Sequence, residues 1–305
     1  MTRRNFIHAM VSGIGALTLP KTGVSAPGNA LRFGVISDVH HGLAPDALSR
    51  MATFLREAHR RGDLDLVIQL GDFCHVDPEA SDFLKLWKGA PCPRLDVLGN
   101  HDMDKYSKSE TMRVWGMPSR YGATVIKGYR WVWLDLNYFL KDGQLHSYSH
   151  GNYFTNGARH NYADPEQLAW LRRELQQSVE PVILLAHQPL GIPGADGTLP
   201  PEQLQIAEIL RETDKVRLCL SGHLHVDRIG AMGQVPCLTV NSASYFWYRG
   251  MNPYTRPLFA FMEIKGDALM VRGRTGEFES PPPDESATVE GRSASIMDRT
   301  VTLPA

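Results

Sequence analysis

From residue 31 onward, short apolar runs alternate with longer stretches in which apolar residues recur at helical spacing. Short runs bounded by Gly, Asp or His read as buried strands, and stretches with an i, i+3, i+4 stripe read as amphipathic helices. On that basis strands are predicted over 31–37, 64–70, 94–98, 129–136, 181–186 and 216–220. Helices are predicted after Asp46, with Met51, Phe54, Leu55 and Ala58 as the buried stripe, near 82–87, after Asp164, and over 200–211. Asp46 and Asp164 are the expected caps, Pro165 suits the first turn, and Gln167 can reach back as in a capping box. Further strands at 228–229, 235–240, 258–264 and 268–271, with turns such as Lys265-Gly266-Asp267, point to a second, more antiparallel sheet. Strands alternating with helices in this way indicate an α/β protein.

Three segments break the pattern. Residues 138–163 are rich in Tyr, His, Asn and Gly and lack aliphatic periodicity, so a long loop with a functional role is expected. Residues 280–305, rich in Pro, Ser and acids, are expected to form a loosely attached tail, with Val301-Thr302-Leu303 able to add an edge strand. At the other end, Thr2-Arg3-Arg4-Asn5-Phe6-Ile7 puts paired arginines ahead of an apolar stretch over 9–19. That stretch is short and interrupted by Ser12, Gly13, Gly15 and Thr18, which suits a processed signal better than a bilayer span. With Val24-Ser25-Ala26 as a cleavage site, residues 1–26 resemble a twin-arginine translocation signal, although Ile7 and His8 stand where Leu and Lys are usual. The resemblance implies the twin-arginine machinery as a partner, a periplasmic or otherwise exported destination, and no stable membrane span after processing.

Composition narrows the classes further. A chain of 305 residues, 43% of them hydrophobic, can bury the core of one catalytic domain, here assigned to 31–279. A formal charge of −1 leaves no basic excess for nonspecific contact with a nucleic-acid backbone. Cys74, Cys92, Cys219 and Cys237 would permit two disulfides after export, or remain buried thiols; none lies in a Cys-x-x-Cys metal pattern.

The chemistry gathers where predicted strands end. Asp38 and His40, Asp72, Asn100 with His101, His187, and His223 with His225 each follow an apolar run, and strand ends of open α/β sheets converge on one crevice. Imidazole with carboxylate and amide oxygen, and no thiolate, suits Mn, Fe or Zn, and seven ligands are too many for one ion but enough for two. One carboxylate must then bridge; Asp72 is the choice, because its loop lies between the others in chain order. Two such ions can hold a hydroxide nucleophile and clamp the oxygens of a phosphoryl group.

With D-x-H at 38–40, GD at 71–72, GNHD at 99–102, a lone His187 and GHxH at 222–225, the chain closely resembles the calcineurin-like metallophosphoesterases. The resemblance implies a four-layer α/β-β/α sandwich with two mixed β-sheets flanked by helices, and a dinuclear centre of divalent or trivalent ions. Carried over, Asp38, His40 and His225 hold the first ion with Asp72 shared, Asn100, His187 and His223 hold the second, and His101 is the general acid. Many family phosphatases have an Asp three residues after the bridging Asp, supporting the acid. Here that position is His75, so Asp77 or Asp102 is expected to orient His101. Purple acid phosphatases place a metal-binding Tyr there and lack the first-motif His, so His75 and His40 speak against an iron-tyrosinate centre.

For a small phosphoester substrate the candidate contacts are Arg159, His160 and Tyr245, with His146, His150, Tyr153 and residues 246–248 as further parts of a cap. Few Arg or Lys lie near the motifs, and a phosphomonoester dianion usually wants extra cations. The leading expectation is therefore a phosphodiesterase on a small nucleotide-like or glycerophospho substrate. A phosphomonoesterase is the alternative within the class, and a non-catalytic binding or scaffold protein the alternative outside it. The intact ligand set opposes the latter, and ligands drawn from five strand ends oppose a metal carrier.

Overall fold

The structure is a computed structural model that describes residues 30–304; the expected signal over 1–26 lies outside the described residues. Two six-stranded sheets stack face to face. The first contains, in spatial order, β16 (Arg299–Thr302), β15 (Ala268–Gly273), β14 (Ala260–Lys265), β1 (Leu31–Ile36), β2 (Leu66–Gln69) and β3 (Arg94–Asp96). The second runs β10 (Arg228–Met232), β11 (Val235–Thr239), β9 (Val216–Ser221), β8 (Val182–Leu185), β5 (Tyr129–Trp133) and β4 (Gly122–Ile126). Strands β1, β2 and β3 are parallel, as are β5, β8, β9 and β11, while β14 to β16 and the edges β4 and β10 run antiparallel. Both sheets are thus mixed. The expected second, more antiparallel sheet is corrected: its strands divide, β10 and β11 joining one sheet and β14 and β15 the other.

Side-chain alternation explains the layers. Along β5, Trp131 and Trp133 face the first sheet, and the Trp131 ring meets Phe33 of β1 edge-on at 5.2 Å. Val132 of β5 points the other way, joining Leu168, Leu171 and Leu175 of α4 (Pro165–Gln177) and Ile206 of α5 (Pro201–Arg211) in a second core. On the outer side of the first sheet, α1 (Ala47–Arg61) lays Phe54 over Gly34, where a Cβ would sit only 3.1 Å from the ring. α2 (Ser81–Lys88) packs beside it. The order helix, sheet, sheet, helix follows.

Several local expectations are corrected. Asp46 stands at the start of α1 but does not cap it; its carboxylate takes Arg50 Nε at 2.7 Å, and the buried guanidinium donates on to the carbonyls of Ala243 and Tyr254. Asp164 does cap α4, but Gln167 is buried and bonds the backbone of Asp135 through both amide atoms, at 2.8 Å each. The segment 138–163 is no structureless loop. It opens with the hairpin β6 (Tyr138–Lys141) and β7 (Gln144–Ser147), turned by Asp142 and Gly143 with φ of 50° and 76°. Nor is the C-terminal segment loose: Ile296 and Leu303 are buried, and β16 pairs with β15. All four cysteines are free thiols, with Cys219 and Cys237 in register on β9 and β11. Among the described residues no helix is long and apolar enough to cross a membrane.

Candidate metal centre

The carboxyl ends of β1, β2 and β3 meet those of β8 and β9 along one edge of the sandwich, so residues far apart in sequence arrive together. Backbone bonds stitch the loops to one another: Asp38 N donates to Gly71 O at 3.0 Å, His40 N to Asp72 O at 2.8 Å, and Gly222 N to His187 O at 2.9 Å. Asp38, His40, Asp72, His223 and His225 all hold positive φ, between 47° and 70°. That region is costly for side-chain-bearing residues, roughly 1–3 kcal/mol each, and is kept where the surrounding structure requires a particular aim. Gly99 and Gly222 supply the clearance, since a Cβ on either would overlap Asp72 or Ser37 and Asp38.

Two clusters result, sharing Asp72. The ligand atoms of Asp38, His40, Asp72 and His225 lie within 4.8 Å of one another, as do those of Asp72, His187 and His223. His40 Nε2 sits 3.1 Å from His225 Nε2 and 3.9 Å from both Asp38 Oδ1 and Asp72 Oδ2. His187 donates from Nδ1 to Leu70 O at 2.7 Å, which aims the Nε2 lone pair at Asp72 Oδ2, Asn100 Oδ1 and His223 Nδ1, each 3.2 Å away. Asp38 Oδ1 is buried with no hydrogen-bond partner among the described residues. Carboxylate oxygens and imidazole nitrogens converge within 4.8 Å in each cluster, with His225 Nε2 3.2 Å from Asp38 Oδ1, and this all-nitrogen-and-oxygen donor set fits metal ions.

Electrostatics agree. Burial pushes His40 down to about 3, and burial with the charge of His187 does the same to His223, so both present neutral lone pairs. Burial would raise Asp38 and Asp72, but the neighbouring imidazoles outweigh it: Asp38 falls to about 2 and Asp72 well below the usual carboxylate range. His187 is driven up to about 9, because Asp72 and Asp38 outweigh its burial. The negative charge of Asp72 against His187 is one that a proton on the ring or a metal ion can balance.

A family model described as calcineurin-like phosphoesterase matches residues 31–227, more than half of the chain and every motif above. The chain belongs to the calcineurin-like phosphoesterases. It is a hydrolase of phosphoester bonds, and the buried Asp and His cluster with the family suggests a divalent dimetal centre. Among solved structures, a dimetal phosphatase from Danio rerio superposes with a TM-score of 0.63 at 16% identity, over 89% of this chain and 98% of that one. GAP50, the anchor in the inner membrane complex of Plasmodium, gives 0.54 at 13%, over 90% and 89%. A putative 5'-nucleotidase from Staphylococcus aureus gives 0.51 at 13%, over 86% of this chain and 56% of that one. At these identities the likeness is one of fold. No curated protein sequence matches the chain.

Beside the calcineurin-like motifs, His101 begins a 3-10 turn after Asn100, its amide donating to Asp72 Oδ1 at 2.8 Å. Its orienting partner is neither Asp77 nor Asp102. Asp102 turns inward to accept from the amides of Phe73, Cys74 and Gly99, and Asp77 takes Lys105 and Tyr106. Asp104 does the work instead: Oδ2 lies 2.9 Å from His101 Nδ1, and Oδ1 accepts the Tyr153 hydroxyl. In a 3-10 turn residues i and i+3 eclipse, so the His101-to-Asp104 spacing carries the signal that sequence reading missed. Burial opposes a charged His101, but Asp72 and Asp104 prevail and lift it to about 9.

The candidate substrate contacts fare unevenly. Tyr245 is buried and stacks on His40 with centroids 4.9 Å apart. His160 lines a cavity of about 530 Å³ beside Asn100 and His223, together with Tyr153 and Phe154. Arg159 does not line it; its backbone pairs with Leu140.

Proposed function

We propose that the protein is a dinuclear, metal-dependent phosphodiesterase acting on a small nucleotide-like or glycerophospho substrate. Asp38, His40 and His225 hold one ion, Asn100, His187 and His223 the other, and Asp72 is shared between them. The all-nitrogen-and-oxygen set suits Mn, Fe or Zn. When bound, the ions supply a water nucleophile at neutral pH and draw charge from the phosphoryl oxygens. Asp104 occupies His101 Nδ1, which leaves Nε2 to deliver a proton to the departing oxygen. Asp72 fixes the His101 backbone through its amide, so the acid and the metal cradle are positioned by one carboxylate.

The observation that carries the diester reading is the 530 Å³ cavity, whose lining includes no Lys or Arg. A phosphomonoester brings close to two negative charges at neutral pH, and beyond the ions and the protonated His101 the lining offers no Lys or Arg for the second. A diester brings one. The test is the ratio of initial rates on a chromogenic phosphodiester and the matching monoester with Mn-reconstituted protein. A ratio well above one supports the reading; a ratio well below one makes the protein a phosphomonoesterase.

The paired Arg3 and Arg4 with Val24-Ser25-Ala26 support export by the twin-arginine machinery to the periplasm. Arg3→Lys with Arg4→Lys should retain the protein in the cytoplasmic fraction, and undiminished export overturns the assignment.

A further inference from the structure

Five aromatic rings are linked as consecutive neighbours through the candidate metal centre. Centroids are 6.2 Å apart from Phe154 to His101, 5.3 Å from His101 to His40, 4.9 Å from His40 to Tyr245, and 6.3 Å from Tyr245 to Trp247. The three middle rings belong to the site already described. The two end rings are 70% exposed at Phe154 and 60% exposed at Trp247. Two large rings thus stand in water at the two ends of one chain of neighbouring rings that passes through the candidate centre.

Both are presented on braced backbone. Trp247 lies on β12 (Tyr245–Trp247), paired with β13 (Met251–Pro253), and strand alternation puts it on the same face as Tyr245. The Asn252 amide closes that hairpin by donating to the carbonyls of Phe246, Tyr248 and Gly250. Phe154 follows Tyr153, which is tied to Asp104 through its hydroxyl and stacks on Tyr148 at 4.6 Å. Beneath Phe154, the cavity presents Tyr148, Thr155, Asn156, His160 and Asn161, and no charged side chain. Burial lowers His160, so it is neutral at neutral pH.

We infer that Phe154 and Trp247 grip the two organic substituents of a phosphodiester, Phe154 the leaving alcohol and Trp247 the substituent retained on phosphorus. The sides follow from the acid. The leaving oxygen must meet His101, whose ring adjoins Phe154, so the retained substituent extends the other way, past His40 and Tyr245 to Trp247. The substituents are flat, uncharged and ring-bearing; a nucleoside fits, with a base to stack and hydroxyls for the Asn and Thr side chains. This inference rests on the phosphodiesterase reading.

The experiment uses two diesters with the same p-nitrophenolate leaving group: thymidine 5'-(p-nitrophenyl phosphate) and methyl p-nitrophenyl phosphate. The Mn-loaded wild type should prefer the nucleoside ester in kcat/KM. Trp247→Ala should cut that preference by roughly five- to a hundredfold, mainly through KM, as loss of a base-stacking ring does. Trp247→Phe should restore most of it. Phe154→Ala should raise KM for both esters by a common factor, since they share the leaving group, while the distant exposed Val179→Ala changes neither. If Trp247→Ala leaves the preference unmoved, or slows both esters equally, the inference falls while diester activity stands. If the wild type hydrolyses p-nitrophenyl phosphate faster than either diester, the phosphodiesterase reading falls and the two-sided grip with it.

Discussion

Asp104→Asn isolates the contribution of the carboxylate to the acid. Asparagine keeps the size of the side chain and an oxygen for the Tyr153 hydroxyl, but removes the charge that lies 2.9 Å from His101 Nδ1. A hydrogen bond to a charged group is worth about 1.5–3 kcal/mol net, which is about one to two pH units on the imidazole. The sign follows directly: Asp104 favours the protonated ring and raises its pKa, so without it the ring loses its proton at lower pH. The alkaline limb of kcat should therefore move down by about one to two units. The loss must also depend on the leaving group. At pH 8 a diester with an alkyl leaving group should slow roughly two- to tenfold, because its oxyanion needs the proton and a ring lowered from about 9 by one to two units is that much less often protonated there. A p-nitrophenyl diester, whose oxyanion is stable, should slow far less. Steady-state pH profiles with both substrates decide it. An unmoved alkaline limb, or equal losses on the two leaving groups, refutes the assignment of Asp104 and weakens that of His101 as acid.

Gly99→Ala should abolish metal loading and cost about 1–3 kcal/mol of stability, because its Cβ would overlap Asp72 N and Oδ1 and lie 2.9 Å from Asp72 Cα. In Gly143→Ala, with nothing within 4 Å of the new methyl, only backbone strain is added and metal content stays at the wild-type level by elemental analysis. Chelation should lower Tm in a thermal-shift assay, since ions at a hundred times Kd contribute about 2.7 kcal/mol and their removal leaves the buried Asp38 and Asp72 carboxylates without a metal cation; an unchanged Tm contradicts the cradle. Burial raises the Asp96 carboxyl pKa above its unfolded value, so its share of stability is present when it is protonated and is lost as pH rises. Asp96→Asn keeps an acceptor for Trp87 Nε1 and should raise Tm at pH 8, with the gain shrinking toward pH 4.

The positions that converge on the candidate centre were legible because each is a polar residue at or just beyond the end of an apolar run, and strand ends share one edge of a sheet. What placed β14 beside β1 was not legible. The pairing of Leu31 with Ile264 depends on a register between distant segments, and local alternation says only that a strand is half-buried, not which sheet takes it. Asp142-Gly143 did announce the β6–β7 hairpin, but the polar composition around it masked the alternation. Gln167 read as a capping residue because its spacing from Asp164 is right; burial against the Asp135 backbone offered it two bonds instead of one. Phe154 gave no signal at all, since an aromatic in a polar segment reads the same whether it packs inward or stands in water.

The metal content of the purified protein tests the central claim most directly. Mn-reconstituted wild type should hold two ions per chain, and Asp72→Ala, which removes the carboxylate common to both clusters, should lose most of both. Wild type that binds no ion, or Asp72→Ala that keeps two with full activity, would contradict a dinuclear centre built on Asp72.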